Sequence, residues 1–105
     1  MNNVFFCVGN LQKDFELEEI DGKTYAKGVI AVDSYNNSNP KTELEFYINE
    51  NIYKNIDNML KVGDCIGLRS TIIGNDKGVM IRTDKISFLH SDKTVENFNE
   101  ETMER

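Results

Sequence analysis

The sequence has no tryptophan, one histidine and only two cysteines in 105 residues. Cys7 and Cys65 are far apart without CxxC spacing, so with His90 the chain offers too few ligands for a zinc site. Both cysteines lie in apolar, strand-like runs, where a free thiol behaves as a small buried hydrophobe. No nucleophile is arranged with a base, and no glycine-rich loop could cradle a phosphate. These absences argue against an enzyme, and no metal or cofactor is expected.

Long apolar runs are also absent. No segment approaches the length of a membrane span, and no basic, apolar leader opens the chain. The length is that of one domain with a single modest core. We therefore expect a cytoplasmic protein without membrane contact.

Positive charge is scarce, because 12 lysines and arginines face 18 acidic residues and leave a net charge of −6. That balance argues against nucleic acid, whose phosphates are bound by lysine and arginine. However, residues 90–105 carry five acidic and two basic residues, which is half of the excess. We expect residues 1–90 to form the folded domain and residues 91–105 to be a flexible acidic tail.

Apolar periodicity predicts an all-β chain of five strands with one short helix. The Asp21-Gly22 pair is typical of a tight hairpin turn. The predicted strands cover residues 4–8, 24–35, 42–49, 66–72 and 79–89, and the predicted helix covers 51–60. A helix between the third and fourth of five strands is the order of the OB-fold, a small Greek-key barrel.

Four segments of the chain share motifs with a known family. They are Asn3, Val4, Phe6, Val8, Gly9, Leu11, Lys13, Asp14, Glu16 and Leu17, then residues 26–33, 55–64 and 86–89. The first has an asparagine, alternating aliphatic residues, Gly-x-Leu and Lys-Asp-x-Glu-Leu, and resembles the first strand of the bacterial single-stranded DNA-binding protein family. The others resemble that family's second strand, its helix and corner, and its closing strand. The resemblance implies an OB-fold that binds single strands by stacking bases on aromatic rings across the second and third strands.

Strand alternation predicts which residues face outward. In residues 24–35 we expect Ala26, Gly28, Ile30 and Val32 to point into the core. The candidate nucleic-acid-binding residues, by this alternation and by the resemblance, are Tyr25, Lys27, Tyr35, Tyr47, Arg69 and Lys13. The tyrosines could equally cover the barrel or form oligomer contacts, and Arg69 could simply pair with a neighbouring acid.

The family resemblance carries further expectations and some departures. Glu43 and Asn49 stand where the family often has aromatic platforms, and the loop between the fourth and fifth strands is short. The family forms dimers and tetramers through its first strand. Accordingly, we expect Phe6 to point inward and Phe5 to be exposed at such a contact. The family's acidic tail recruits replication and repair proteins through a Pro-Phe tip that this chain lacks.

Two functions follow as hypotheses. The first is a bacterial or phage single-stranded DNA-binding protein that coats or protects exposed strands during replication, repair or mobile-element DNA metabolism. The second is an OB-fold oligomerisation or replication-accessory protein that acts through protein contacts and has little nucleic-acid affinity. The tyrosines and Lys27 favour the first, while Glu43, Glu45 and the net charge favour the second.

Overall fold

The computed structural model describes residues 3–36, 39–76, 78–89 and 95–100. Within these ranges the chain forms seven strands and one helix. They are β1 (Val4–Leu11), β2 (Glu16–Ile20), β3 (Lys23–Asn36), β4 (Asn39–Asn49), α1 (Glu50–Ile56), β5 (Cys65–Asn75), β6 (Gly78–Leu89) and β7 (Val95–Asn99).

The strands form a closed barrel. Their order is β1-β5-β6-β4-β3-β2, and β1 closes the barrel by also pairing with β3 at Asn10 and Leu11. β1 contains the expected first strand, whereas β2, which pairs with β3, and β7, which pairs with β6, are strands that the sequence did not predict. The predicted five-stranded OB-fold with a helix between its third and fourth strands is therefore confirmed.

Closure depends on a glycine in β1. A Cβ built on Gly9 would lie 2.3 Å from the backbone oxygen of Ala31 in β3. Only a residue without a side chain permits that approach. Gly9 thus lets β1 pair with β5 on one side and reach β3 on the other.

The core is apolar and follows the predicted alternation in β3. Ala26, Gly28 and Ile30 are buried, and Val32 is half-buried against the core. Gly28 makes room for two rings, since a Cβ there would lie 2.6 Å from both Phe15 and Phe46. The principal buried side chains are Leu11, Ala26, Ile30, Phe46, Ile48, Ile52, Ile56, Ile66, Leu68, Ile86 and Phe88.

The expected orientation of β1 is wrong. Phe6 is 73% exposed and Val8 67% exposed, whereas Phe5 is only half-buried and Cys7 packs against the core. The run is apolar on both faces, so its composition could not fix the alternation. Gly9 and Leu11 fix it instead, because both are buried and place the odd-numbered side chains inward.

Two turns agree with the sequence. Asp21 and Gly22 have φ angles of 51° and 79°, the left-handed pair that a tight hairpin between β2 and β3 requires. The hairpin between β5 and β6 is short, since Asn75 pairs directly with Gly78.

The helix is shorter than predicted. α1 ends at Ile56, and a turn follows in which Leu60 donates its backbone N–H to the Ile56 carbonyl. Leu60 continues the apolar spacing because it packs against the core from that turn. Asn49 caps the helix by accepting a 2.8 Å hydrogen bond from the Ile52 N–H. No helix in the described ranges has the length and apolar character needed to cross a membrane.

Part of the predicted flexible tail is a strand. Residues 95–99 pair antiparallel with β6 as β7, and Phe98 packs against the core of its own chain. The sequence did not predict this strand, because the segment is acidic and polar and only Val95 and Phe98 in it are apolar. His90, residues 91–94 and residues 101–105 lie outside the described residues.

We expect Gly9→Ala to destabilise the fold strongly, because the new methyl group would overlap the Ala31 backbone. Overpacking of this kind costs about 1–3 kcal/mol or more. Gly74→Ala is the matched control, since its Cβ would meet nothing closer than 3.9 Å. Chemical denaturation of both variants checks this, and a Gly9→Ala variant as stable as wild type would contradict the close approach.

Candidate nucleic-acid interface

Strand register brings three of the predicted residues together. Tyr25 pairs with Asn49 across β3 and β4, and Lys27 pairs with Tyr47. Directly paired residues of antiparallel strands project to the same side of a sheet. Tyr25, Lys27 and Tyr47 therefore lie together on the outside of the barrel, and we call them the tyrosine face.

The two rings of the tyrosine face touch each other. Tyr25 and Tyr47 have ring centroids 6.4 Å apart at an interplanar angle of 82°, an edge-to-face contact. Both side chains are half-buried. They therefore form a fixed aromatic surface with part of each ring open to solvent.

Tyr47 also interacts with a carboxylate from β2. Burial raises the pKa of the Tyr47 phenol to about 12, and its hydrogen bond to Glu18 and the charges of Glu18 and Glu45 add to the rise. The phenol is therefore neutral across the physiological range and donates to Glu18. This bond limits the rotation of the ring.

Lys27 lies between two acids. Its Nζ is 4.0 Å from a carboxylate oxygen of Glu16 and 4.0 Å from one of Glu45. The Lys27 side chain is 24% exposed, whereas the two glutamates are 74% and 63% exposed. Such exposed pairs are weak, so an incoming phosphate could replace either glutamate.

Lys13 and Tyr35 are two further candidates. Lys13 is exposed and lines a small cleft together with Lys27, Glu16 and Glu45, so the fold brings the two lysines to one place. Tyr35 belongs to β3, but its side chain lies outside the described residues. Val29 lines the same cleft and is buried there, and its carbonyl accepts a hydrogen bond from the Gln12 N–H.

Arg69 is engaged elsewhere. Its Nε and Nη2 donate to the two carboxylate oxygens of Asp84 at 3.1 and 2.8 Å. These hydrogen bonds hold the pKa of Asp84 below its ordinary value, although burial opposes the shift. Across the strands Arg69 pairs with Phe6 and Lys85, not with the tyrosine face.

Arg82 is a cation that sequence reasoning missed. It pairs with Tyr47 across β4 and β6 and contacts both Glu100 and Tyr25. Burial lowers the pKa of Arg82, but bonds and charge from Glu100 and Tyr25 outweigh it, and the pKa lies above its ordinary value. Counting back from Phe88 by alternation places Arg82 inside the barrel. The bulge at Asp84 reverses that count, and nothing in the sequence marks the bulge.

A cleft next to the tyrosine face is acidic. It lies between the β2–β3 turn and the β5–β6 hairpin and has a volume of about 240 Å³. Its lining includes Glu18, Glu19, Asp21 and Asp76 beside Tyr47. In the described part of the chain, no three His, Cys, Asp or Glu residues are grouped as metal ligands. Because these four side chains are acidic, the cleft repels phosphate.

Comparison with known proteins gives relatives in structure only. No protein-family profile and no curated protein sequence matches this chain. A small single-stranded DNA-binding protein from Streptomyces coelicolor superposes with a TM-score of 0.65 at 16% identity, covering 84% of this chain and 93% of its own.

Two further solved structures have the same fold. The dimeric N-terminal domain of PriB from Thermoanaerobacter tencongensis has a TM-score of 0.69 at 18% identity, covering 87% of this chain and 100% of its own. The mitochondrial single-stranded DNA-binding protein Rim1 of S. cerevisiae has a TM-score of 0.69 at 14% identity, covering 85% and 96%. The chain has the OB-fold of single-stranded DNA-binding proteins.

In OB-folds, ligands bind on the face of the second and third strands and at the loops after the first and fourth. In this OB-fold those strands are β3 and β4, and the loops are the β2–β3 turn and the β5–β6 hairpin. The tyrosine face thus occupies the ligand-binding face of the OB-fold, with the acidic cleft beside it.

We expect one tyrosine to ionise late. The Tyr47 phenol should titrate near pH 12 by absorbance, above the usual tyrosine value of about 10. Because its pKa is raised in the folded state, the resulting stability is present below pH 10 and is lost as the pH rises through 12. Glu18→Gln should lower the Tyr47 pKa. Glu19→Gln, a neighbour of equal charge on β2, should lower it much less, and equal shifts would contradict the contact.

Proposed function

We propose that this protein binds single-stranded DNA on its tyrosine face and coats or protects exposed strands in the cytoplasm. Tyr25 and Tyr47 stack bases, and Lys27 and Lys13 contact phosphates. We retain Tyr35 and Arg69 as contacts for a strand that extends beyond this face. The process is replication, repair or the DNA metabolism of a phage or mobile element, and the protein is a binding protein, not an enzyme.

The aromatic pair carries this proposal. Two touching, half-exposed rings on the ligand-binding face of an OB-fold are suited to successive unpaired bases, because every base has a π-face. Duplex DNA hides those faces, so the same surface discriminates against it. The structural relatives, which are single-stranded DNA-binding proteins, support the same conclusion.

The surrounding carboxylates set the expected strength of binding. Glu16 and Glu45 offset Lys27, and Glu18 holds Tyr47. A phosphate must displace carboxylates before it gains a cation, so we expect modest affinity that falls steeply with salt.

The proposed active form is a homo-oligomer, a dimer or a tetramer. Val4, Phe6 and Val8 form an exposed apolar stripe on β1, at 50%, 73% and 67% exposure. A contiguous exposed apolar stripe is typical of a protein–protein contact, and a second copy of the chain would cover it. The PriB domain with the same fold is itself described as dimeric.

The second candidate function is an OB-fold oligomerisation or replication-accessory protein. The acidic cleft and the apolar β1 stripe favour it, since the first repels phosphate and the second suits protein contacts. Replication or repair proteins would then be its partners.

Binding of labelled oligothymidine, several tens of bases long, tests the first candidate by fluorescence anisotropy at low and moderate salt. We expect salt-sensitive binding to the single strand and none to a duplex of equal length. Tyr47→Ala should remove about 1–3 kcal/mol of binding free energy, because a stacked ring is lost. Tyr47→Phe is the matched control and should retain binding, since it keeps the ring and loses only the bond to Glu18. Absence of binding at low salt would favour the second candidate.

Phe6→Asp should shift the protein to monomers, because it puts a charge in the apolar stripe. Size-exclusion chromatography with light scattering measures this directly. Val62→Asp, at a valine that is 55% exposed outside the stripe, should leave the assembly unchanged. A wild-type monomer at high concentration would refute the proposed oligomer.

A further inference from the structure

An open cavity of about 250 Å³ lies beside the tyrosine face and already contains an anion of the protein itself. It is lined by Lys23, Thr24, Tyr25, Asn49, Arg82 and Glu100. Glu100 follows β7 directly, and its carboxylate extends back over β4 and β6. The cavity therefore contains a carboxylate of the protein. The two cations in its lining are Lys23, at the start of β3, and Arg82, in β6.

Two donors converge on one oxygen of that carboxylate. The Asn49 Nδ2 donates to Glu100 Oε2 at 2.7 Å, and the Arg82 Nη2 donates to the same oxygen. The Arg82 and Glu100 side chains are 28% and 24% exposed. Charge-assisted bonds to a partly desolvated anion are the strong kind of hydrogen bond.

The donors are held in place by other contacts. The Asn49 Oδ1 accepts the helix-capping bond from the Ile52 N–H, so its amide nitrogen must point toward Glu100. Arg82 is held by its place beside Tyr47 and by its contact with Tyr25. Both donors therefore have contacts besides Glu100.

We propose that Arg82, Asn49 and Lys23 form a binding site for one backbone phosphate of a single strand, and that Glu100 occupies it as an internal competitor. The carboxylate oxygens of Glu100 stand in for phosphate oxygens. A guanidinium fork beside an amide donor matches phosphate geometry, and Lys23 supplies further positive charge. This inference rests on the proposed single-stranded DNA binding and assigns one of its subsites.

The position of Tyr25 links this site to base stacking. Its ring lines the same cavity and touches Tyr47, while Arg82 contacts the Tyr25 side chain. A nucleotide stacked on Tyr25 would therefore place its own phosphate beside Arg82. The two contacts select a nucleotide whose base is unpaired.

Release of Glu100 does not require β7 to detach. β7 is held by pairing with β6, and the backbone N–H of Glu100 separately donates to the Asp84 carbonyl at 3.2 Å. Rotation of the Glu100 side chain is enough to open the site. Phosphate binding is thus an exchange of one anion for another at a preformed pair of donors.

Glu100→Gln tests the proposal, because it removes the charge and keeps the shape of the side chain. We expect Glu100→Gln to bind labelled oligothymidine about tenfold more tightly than wild type, as when the open form is about a tenth of the population. The slope of log affinity against log salt should stay close to that of wild type, because both proteins form the same phosphate contact once Glu100 is displaced.

Asp57→Asn is the matched control, since it removes one negative charge at an exposed position after α1. It should change the affinity far less. Adding Arg82→Gln to Glu100→Gln should abolish the gain. Equal affinities for Glu100→Gln and Asp57→Asn would overturn the inference while leaving single-strand binding intact.

Inorganic phosphate separates the site from the proposed function. The Arg82 Nε resonance, followed by NMR, should shift saturably with phosphate in Glu100→Gln and little in wild type. If neither protein binds oligothymidine but this shift occurs, the anion site stands and single-strand binding fails. If neither oligothymidine binding nor the phosphate shift occurs in Glu100→Gln, both are wrong. Thermal unfolding of each variant verifies that the barrel remains intact.

Discussion

The close approach of β1 to β3 determines the rest of the structure. Gly9 has no side chain, so β1 can reach the Ala31 backbone and close the sheet into a barrel. The space above Gly28 is filled in the same way, by the rings of Phe15 and Phe46. The lack of a side chain at Gly9 and at Gly28 therefore fixes the position of β3. Because β3 carries Tyr25 and Lys27, they also fix the tyrosine face.

The electrostatics of the outer surface share one pattern: three of its cations are already matched by carboxylates. Lys27 has Glu16 and Glu45, Arg69 has Asp84, and Arg82 has Glu100. On the proposed function, a nucleic acid would bind by exchange, replacing an internal acid by a phosphate. The ease of each exchange would depend on the geometry of the pair, so the Lys27 pairs, with N···O distances of 4.0 Å, would be replaced more easily than the bidentate Arg69 pair. In this proposal, an acidic protein keeps specific sites for phosphate.

The sequence allowed the barrel, the Asp21-Gly22 turn and the tyrosine face to be predicted, because alternation in β3 and β4 is clean and short turns have strong residue preferences. It did not allow the orientation of β1 to be predicted, since both sides of that strand are apolar and only the burial of Gly9 and Leu11 decides it. Arg82 was missed for a different reason. The face of β6 on which its side chain lies depends on the bulge at Asp84, which results from pairing between distant strands and has no local signature.

The C-terminal strand shows the same limit of local reasoning. Its few apolar residues predict a solvated tail, but β6 offers a free edge and the core accepts Phe98. Pairing with an existing edge requires little intrinsic preference for a strand. The pairing brings Glu100, which follows β7, to Asn49 and Arg82.

Asn49 joins the start of α1 to this last segment through the two ends of one amide. Serine or aspartate would cap the helix equally well, but an aspartate would face Glu100 with a second negative charge, and a serine would not span both partners. Residue 49 is therefore constrained from two distant parts of the chain at once. In evolutionary terms, positions 49 and 100 should vary together, and a lineage that loses the acid at 100 is released to accept any good helix cap at 49.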